Sequence, residues 1–162
     1  MVSIRLANYD DFEFYLQIKS EDNNIFWTGH DKKPDRTAIQ KFFYSTIEDK
    51  NKNARKIYIV EVNNERCGYL YLIPDGDCFD LASSISEKFQ GRGFGKKAIA
   101  LGLEEGRKLG YKKMVGSIRE DNIASLKAYS SLNVRVTQDY KMVFIPKLGK
   151  EVKMFTVEKI LD

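Results

Sequence analysis

The stretch EKFQGRGFGKKA, Glu87 to Ala98, decides how the rest of the chain is read. Gly91, Gly93 and Gly95 alternate within it among Lys88, Arg92, Lys96 and Lys97, and a helix-forming run follows. An apolar run, roughly Cys78–Ser86, precedes it and reads as a strand. Strand, glycine loop and helix together aim backbone N–H groups at an anion, with the positive end of the helix dipole behind them. Glycine suits such a loop because it takes positive φ and lets backbone approach a phosphate closely. Two phosphate motifs fail on spacing. A dinucleotide fingerprint needs G-x-G-x-x-G, whereas these glycines run G-x-G-x-G; a P-loop needs glycine where Gln90 stands and a hydroxyl residue where Lys97 stands.

Outward from the loop, the helix extends to about Leu109 and stops at Gly110. Gly102 and Gly106 sit one turn apart inside it, a smooth face for close packing on a sheet. KKMVGSI reads as the next strand and DNIASLKAYSSL as the next helix; strands near Val134–Ile145 and Glu151–Lys159 close the chain around the turn PKLGK. Upstream, Ser3–Ala7 alternates as a strand, Asp10–Ser20 reads as a short helix, and Glu21–Asp35 as a loop rich in turn residues. Arg36–Lys50 puts Ile39, Phe42, Phe43 and Ile47 on one helical face. RKIYIVEV and RCGYLYLI form a hairpin around NNE. The order β-α-α-β-β-β-α-β-α-β-β mixes hairpins with crossovers, so an α/β (α+β) class is expected, with residues 1–162 as a single domain.

Bulk composition narrows the setting. The chain has 162 residues, 43% hydrophobic and 12% aromatic, and carries a net charge of +4. That is enough chain for one core without staples, and too mild a charge to argue for nucleic acid over a small anion. The lysine-rich PKLGKEVKMF reads as a solvated hairpin, so no nucleic-acid partner is expected. Cys67 and Cys78 make neither a metal spacing nor a disulfide framework, which favours a reduced, cytoplasmic protein with no metal. The segment MVSIRLANYDDFEF lacks an apolar h-region, and no apolar run reaches the ~20 residues of a membrane span, so neither signal peptide nor membrane partner is expected.

Gln90-Gly91-Arg92-Gly93-Phe94-Gly95 matches [QR]-x-x-G-x-[GA] and resembles the pyrophosphate loop of the GCN5-related N-acetyltransferase (GNAT) family. SISEKFQGRGFG resembles the family's passage from strand to loop, with Ile85 at an aliphatic position. REDNIASLKAY resembles a second signature, an asparagine followed seven residues later by a tyrosine, here Asn122 and Tyr129. The order of elements is similar throughout, although only about Cys78–Val134 is motif-specific. The resemblance implies the GNAT fold, a central mixed β-sheet flanked by helices, and an acyltransferase moving acetyl from acetyl-CoA to a primary amine in a ternary complex. It implies that backbone from Gln90 to Gly95 binds the pyrophosphate, with Lys88, Arg92, Lys96 and Lys97 adding charge nearby. The pantetheine arm then lies between splayed strands, near Ser83 and Ile85, with Asn122 and Ser125 as further contacts. Tyr129 is the implied acid that protonates the departing thiolate; a phenol titrating near ~10 holds its proton at pH 7.

The general base is open. Some family branches place a glutamate on the fifth strand, where this chain has Ser117. Asp77, Asp80 and Glu61, acting through water, and His30 are the candidates. Asn133-Val134 stands where the family often shows Gly-Phe; asparagine tolerates the left-handed cap, but the lost aromatic reshapes the pocket beside Tyr129. In this fold the loop between the first two helices lines the acceptor cleft, which makes Trp27, Thr28, His30 and Asp31 candidates, with Asp80, Tyr71 and Tyr140 by predicted location. Likeness of the IFWTG loop and the C-terminal hairpin to cell-surface-sugar acetyltransferases favours an amino sugar or nucleotide-linked amino sugar. A protein N-terminal amine is the alternative acceptor. A non-catalytic acyl-CoA sensor is the alternative to an enzyme, and a homodimer is left open.

Overall fold

Asn63 and Asn64 both take the left-handed conformation, φ 50° and 67°, and join Val62 to its partner Glu65 in a two-residue turn. Such turns match the right-handed twist of the strands they connect. The hairpin expected around NNE therefore forms, as β2 (Lys56–Val62) and β3 (Glu65–Asp75). The computed structural model describes residues 1–162. With β1 (Val2–Leu6), β4 (Cys78–Ile85), β5 (Lys113–Arg119), β6 (Arg135–Ile145) and β7 (Lys150–Ile160), the hairpin belongs to one seven-stranded sheet ordered β1-β2-β3-β4-β5-β7-β6. Only β4 and β5 are parallel neighbours; every other pair is antiparallel.

Strand alternation divides the core between the two faces. On one face Ile57, Ile59, Tyr69 and Tyr71 meet α1 (Phe12–Lys19) and α3 (Arg36–Glu48), the latter through Phe43 and the Ile39, Phe42, Ile47 stripe. On the other face Leu70, Leu72, Phe79 and Leu81 meet α4 (Phe94–Lys108) through Ala98, Ile99 and Leu103. The smooth face expected on α4 is real. A Cβ on Gly106 would lie 2.1 Å from the Phe79 ring, and one on Gly102 2.9 Å from Leu81. The helix thus lies nearer the sheet than alanine would permit. The chain closes with α5 (Ile123–Ser131) and the β6–β7 hairpin. No helix is long and apolar enough to cross a membrane.

One expectation fails. Glu21–Asp35 is not all loop: Asp22–Trp27 forms a short helix, α2. Its Asn and Asp residues favour turns in isolation, but partners elsewhere hold it. Asn24 Nδ2 donates to the Ile85 carbonyl at 3.1 Å, Arg119 Nη1 donates to the Phe26 carbonyl at 2.8 Å, and the Asn23 amide donates to Glu87 at 2.9 Å. Tertiary contacts override propensity here.

Candidate active site

β4 and β5 pair at only two positions, Cys78 with Lys113 and Phe79 with Met114. Beyond these the strands part, and a cleft of about 950 Å³ opens along the gap. Tyr129 Oη donates to the Leu81 carbonyl at 3.4 Å, while Asn24 and Gln90 donate to that of Ile85 at 3.1 and 2.8 Å. Both carbonyls therefore face the gap rather than β3. Alternation puts the backbone of Ser83 on the same edge, with no strand beside it. Ser83 thus offers open strand-pairing groups, whereas the Ile85 carbonyl is already filled.

The glycine loop closes one end of the cleft. Gly91 and Gly93 take φ 79° and 81°, with nothing within 4 Å of where a Cβ would stand. This left-handed geometry is costly for any other residue. The first bond of α4 runs from the Lys97 amide to the Gly93 carbonyl at 3.2 Å, which leaves the amides of Phe94, Gly95 and Lys96 ahead of it without helical partners. Gln90 holds the loop to α2, its Oε1 accepting from Asn23 Nδ2 at 2.5 Å. Gln90, Gly91, Gly93, Gly95 and Lys96 line the cleft; Arg92 and Phe94 do not. Those two pack on Phe89, 5.7 and 6.2 Å from its ring centre. Lys88 pairs with Glu65 at 3.1 Å.

Mid-cleft, Tyr129 of α5 is 8% exposed. Burial first, then the Asp80 carboxylate, push its phenol well above the ordinary value. Burial also raises Asp80 to about 6, against smaller opposing effects from the Leu81 amide and Arg55. The Asp80 carboxylate accepts from the Leu81 amide at 2.7 Å and lies over β5, where a Cβ on Gly116 would come within 2.2 Å of Oδ1. Gly116 is thus the residue that leaves room for Asp80. Asn122 caps α5, its Oδ1 accepting from the Ser125 amide at 3.2 Å. Asn133 takes φ 61°, the left-handed cap expected of it.

The cleft is also walled by Tyr69, Tyr71, Trp27, Thr28 and His30, with Lys19 among them. Arg119, 4% exposed, ties this wall together. It forms a bidentate pair with Asp121 at 3.0 and 2.8 Å and sits 4.6 and 4.7 Å from the ring centres of Phe26 and Trp27.

A sequence profile of the acetyltransferase (GNAT) family matches residues 12–133. The chain belongs to the GNAT acetyltransferase family. No curated protein matches it in sequence. Among solved structures, the ribosomal-protein-alanine N-acetyltransferase of Brucella melitensis superposes with a TM-score of 0.82 at 19% identity, over 98% of this chain and 99% of that one. The spermidine N-acetyltransferase of Vibrio cholerae, in complex with CoA and spermine, gives 0.86 at 16% identity, over 98% and 95%. An N-acetyltransferase from Staphylococcus aureus Mu50 gives 0.83 at 18%, over 100% and 99%. At these identities the likeness is one of fold.

This GNAT acetyltransferase has the donor set that its cosubstrate, acetyl-CoA, requires. Left-handed glycines with open space above them, unpartnered amides at the start of α4 and a free strand edge at Ser83 fit a pyrophosphate and an amide-bearing arm. Other expectations need correcting. Tyr140 of β6 is 52% exposed and packs on Phe155, outside the cleft. Glu61 pairs with Arg5 at 3.3 Å, and Asp77 lies in the β3–β4 turn, so neither reaches the cleft. Asp31 is also absent from its walls. Lys19, Tyr69, Asn24 and Arg119 are cleft residues that the sequence reading missed. Lys19 and Tyr69 were legible only as members of amphipathic elements, and Arg119 only as a polar strand end.

Proposed function

We propose that this GNAT acetyltransferase moves an acetyl group from acetyl-CoA directly to a primary amine of a small molecule, with both bound at once. The observation that carries this reading is continuity: a single cleft is lined by the glycine loop, Tyr129, Asp80 and the tyrosine wall. Acetyl-CoA supplies the acetyl thioester. The amides of Gly91, Gly93 and the first turn of α4 hold an anion, and the Ser83 backbone pairs with an extended arm. Asp80, as a carboxylate above about 6, takes the proton that an alkylammonium must lose at a cost of roughly 4–5 kcal/mol at pH 7. Tyr129 keeps its proton throughout the working pH range and gives it to the departing thiolate, whose bare charge the same burial disfavours.

Trp27, Thr28 and Tyr71 offer aromatic and hydroxyl surface suited to a sugar ring, which supports an amino sugar or nucleotide-linked amino sugar as acceptor. The two free cysteines, Cys67 and Cys78, suit a cytoplasmic setting. The test is a thermal-shift titration with acetyl-CoA, coenzyme A, NAD and ATP. A ligand at a hundred times its Kd adds about 2.7 kcal/mol of stability. A response to acetyl-CoA and coenzyme A alone supports the reading, and no response to either refutes it.

A further inference from the structure

Lys19, in the last turn of α1, lines the cleft beside the tyrosines of β3. Its Nζ lies 5.8, 5.6 and 5.5 Å from the ring centres of Tyr15, Tyr69 and Tyr71. No carboxylate reaches it as an ion pair. Arg55, likewise without an ion pair, stands 5.1 Å from the same Tyr71 ring and adds a like charge. The other cations drawn into this fold are matched: Arg5 and Arg66 by Asp11, and Arg119 by Asp121. Burial and Arg55 lower Lys19 to about 8, so it still carries its charge at pH 7. A desolvated ammonium without a counter-ion is costly to keep, and three tyrosine faces offset only part of that cost.

Register fixes where this charge stands relative to the proposed base. Tyr71 pairs with Ala82 and Ile73 with Asp80, so Tyr71 and Asp80 share a face as diagonal neighbours, about 7–8 Å apart. An amine at Asp80 and an anion at Lys19 therefore lie within the span of one small molecule. We propose that Lys19 receives an anionic group of the acceptor, so that the acetylated amine belongs to a molecule that also carries a carboxylate or a phosphate. This rests on the reading of the tyrosine wall as the acceptor end. A polyamine would bring a second ammonium to Lys19 and Arg55, and is disfavoured.

The experiment compares acceptor pairs that differ in one anionic group, assayed by release of thiol from acetyl-CoA: glucosamine against glucosamine 6-phosphate, ethanolamine against phosphoethanolamine, and alaninamide against alanine. The expected result is a preference for the charged member of at least one pair. Which pair responds separates phosphate from carboxylate. Lys19→Met keeps the apolar stem; it should raise KM for that member about 10- to 100-fold, leave kcat near wild type, and leave the neutral member unaffected. A merely structural lysine would change both members alike. Equal turnover of charged and neutral members, a preference that survives Lys19→Met, or no turnover of any pair by a protein that acetyl-CoA stabilises, each overturns the inference. Absence of stabilisation by acetyl-CoA overturns the reading beneath it instead.

Discussion

Replacing Asp80 by asparagine should make the protein more stable and nearly inactive. The carboxylate titrates at about 6 when folded against an ordinary 3.8, a gap of about 3 kcal/mol at 1.36 kcal/mol per pH unit. Because the folded-state value is the higher one, folding takes up a proton between these limits, and stability is lost as pH rises through 6. Asparagine removes that penalty while its amide oxygen still accepts from the Leu81 amide, as Oδ1 does at 2.7 Å. At pH 8 the variant should melt about 6–12 °C higher, at ~2–4 °C per kcal/mol for a chain of this size. At pH 5 the advantage should fall to about half, and below pH 4 it should vanish. Activity should move oppositely. Wild-type kcat/KM should decline as pH falls through about 6, and Asp80→Asn should lose that limb with a drop of about 100-fold or more. Melting curves across pH, paired with thiol-release rates, check both halves. An unchanged melting temperature at pH 8 would refute the burial argument, and a retained acid limb would refute the role as base.

Tyr129→Phe should bind acetyl-CoA normally yet lose about 100- to 10,000-fold in kcat; unchanged transfer would end its role as acid. Gly116→Ala places a Cβ against a movable carboxylate oxygen rather than backbone, so kcat should fall several-fold while the melting temperature barely changes. Gly106→Ala forces a methyl into the Phe79 ring. It should cost about 1–3 kcal/mol, seen as a lower melting temperature with KM for acetyl-CoA near wild type in the folded fraction.

Local chemistry explains what the sequence disclosed. The Asn63-Asn64 turn, the glycine pair on α4 and the Gln90–Gly95 loop are each specified by residues adjacent in the chain, and each appears where the pattern put it. The missed features depend on partners far apart in sequence. Helix α2 exists because Ile85, Glu87 and Arg119 hold Asn24, Asn23 and Phe26. Lys19 looks like an ordinary helix-end lysine until β3 supplies two tyrosine rings beneath it. Tyr140 failed for a related reason. The register of β6 against β7 shifts between Val136 and Tyr140, and the periodicity of a strand does not disclose a bulge. Asp80 was readable as a candidate, but its environment depends on Gly116, whose missing side chain only a three-dimensional neighbour makes meaningful.

The two rungs joining β4 to β5 make the sheet two half-sheets sewn at one corner. A bound arm lying along Ser83 would act as a stand-in strand across the unsewn length, so the ligand becomes part of the protein's own cooperativity. In the free protein, amides of β5 and β7 should exchange with solvent independently of those in β2–β4. With the cleft filled, both sets should slow together, because opening either half-sheet would first have to release the molecule that bridges them.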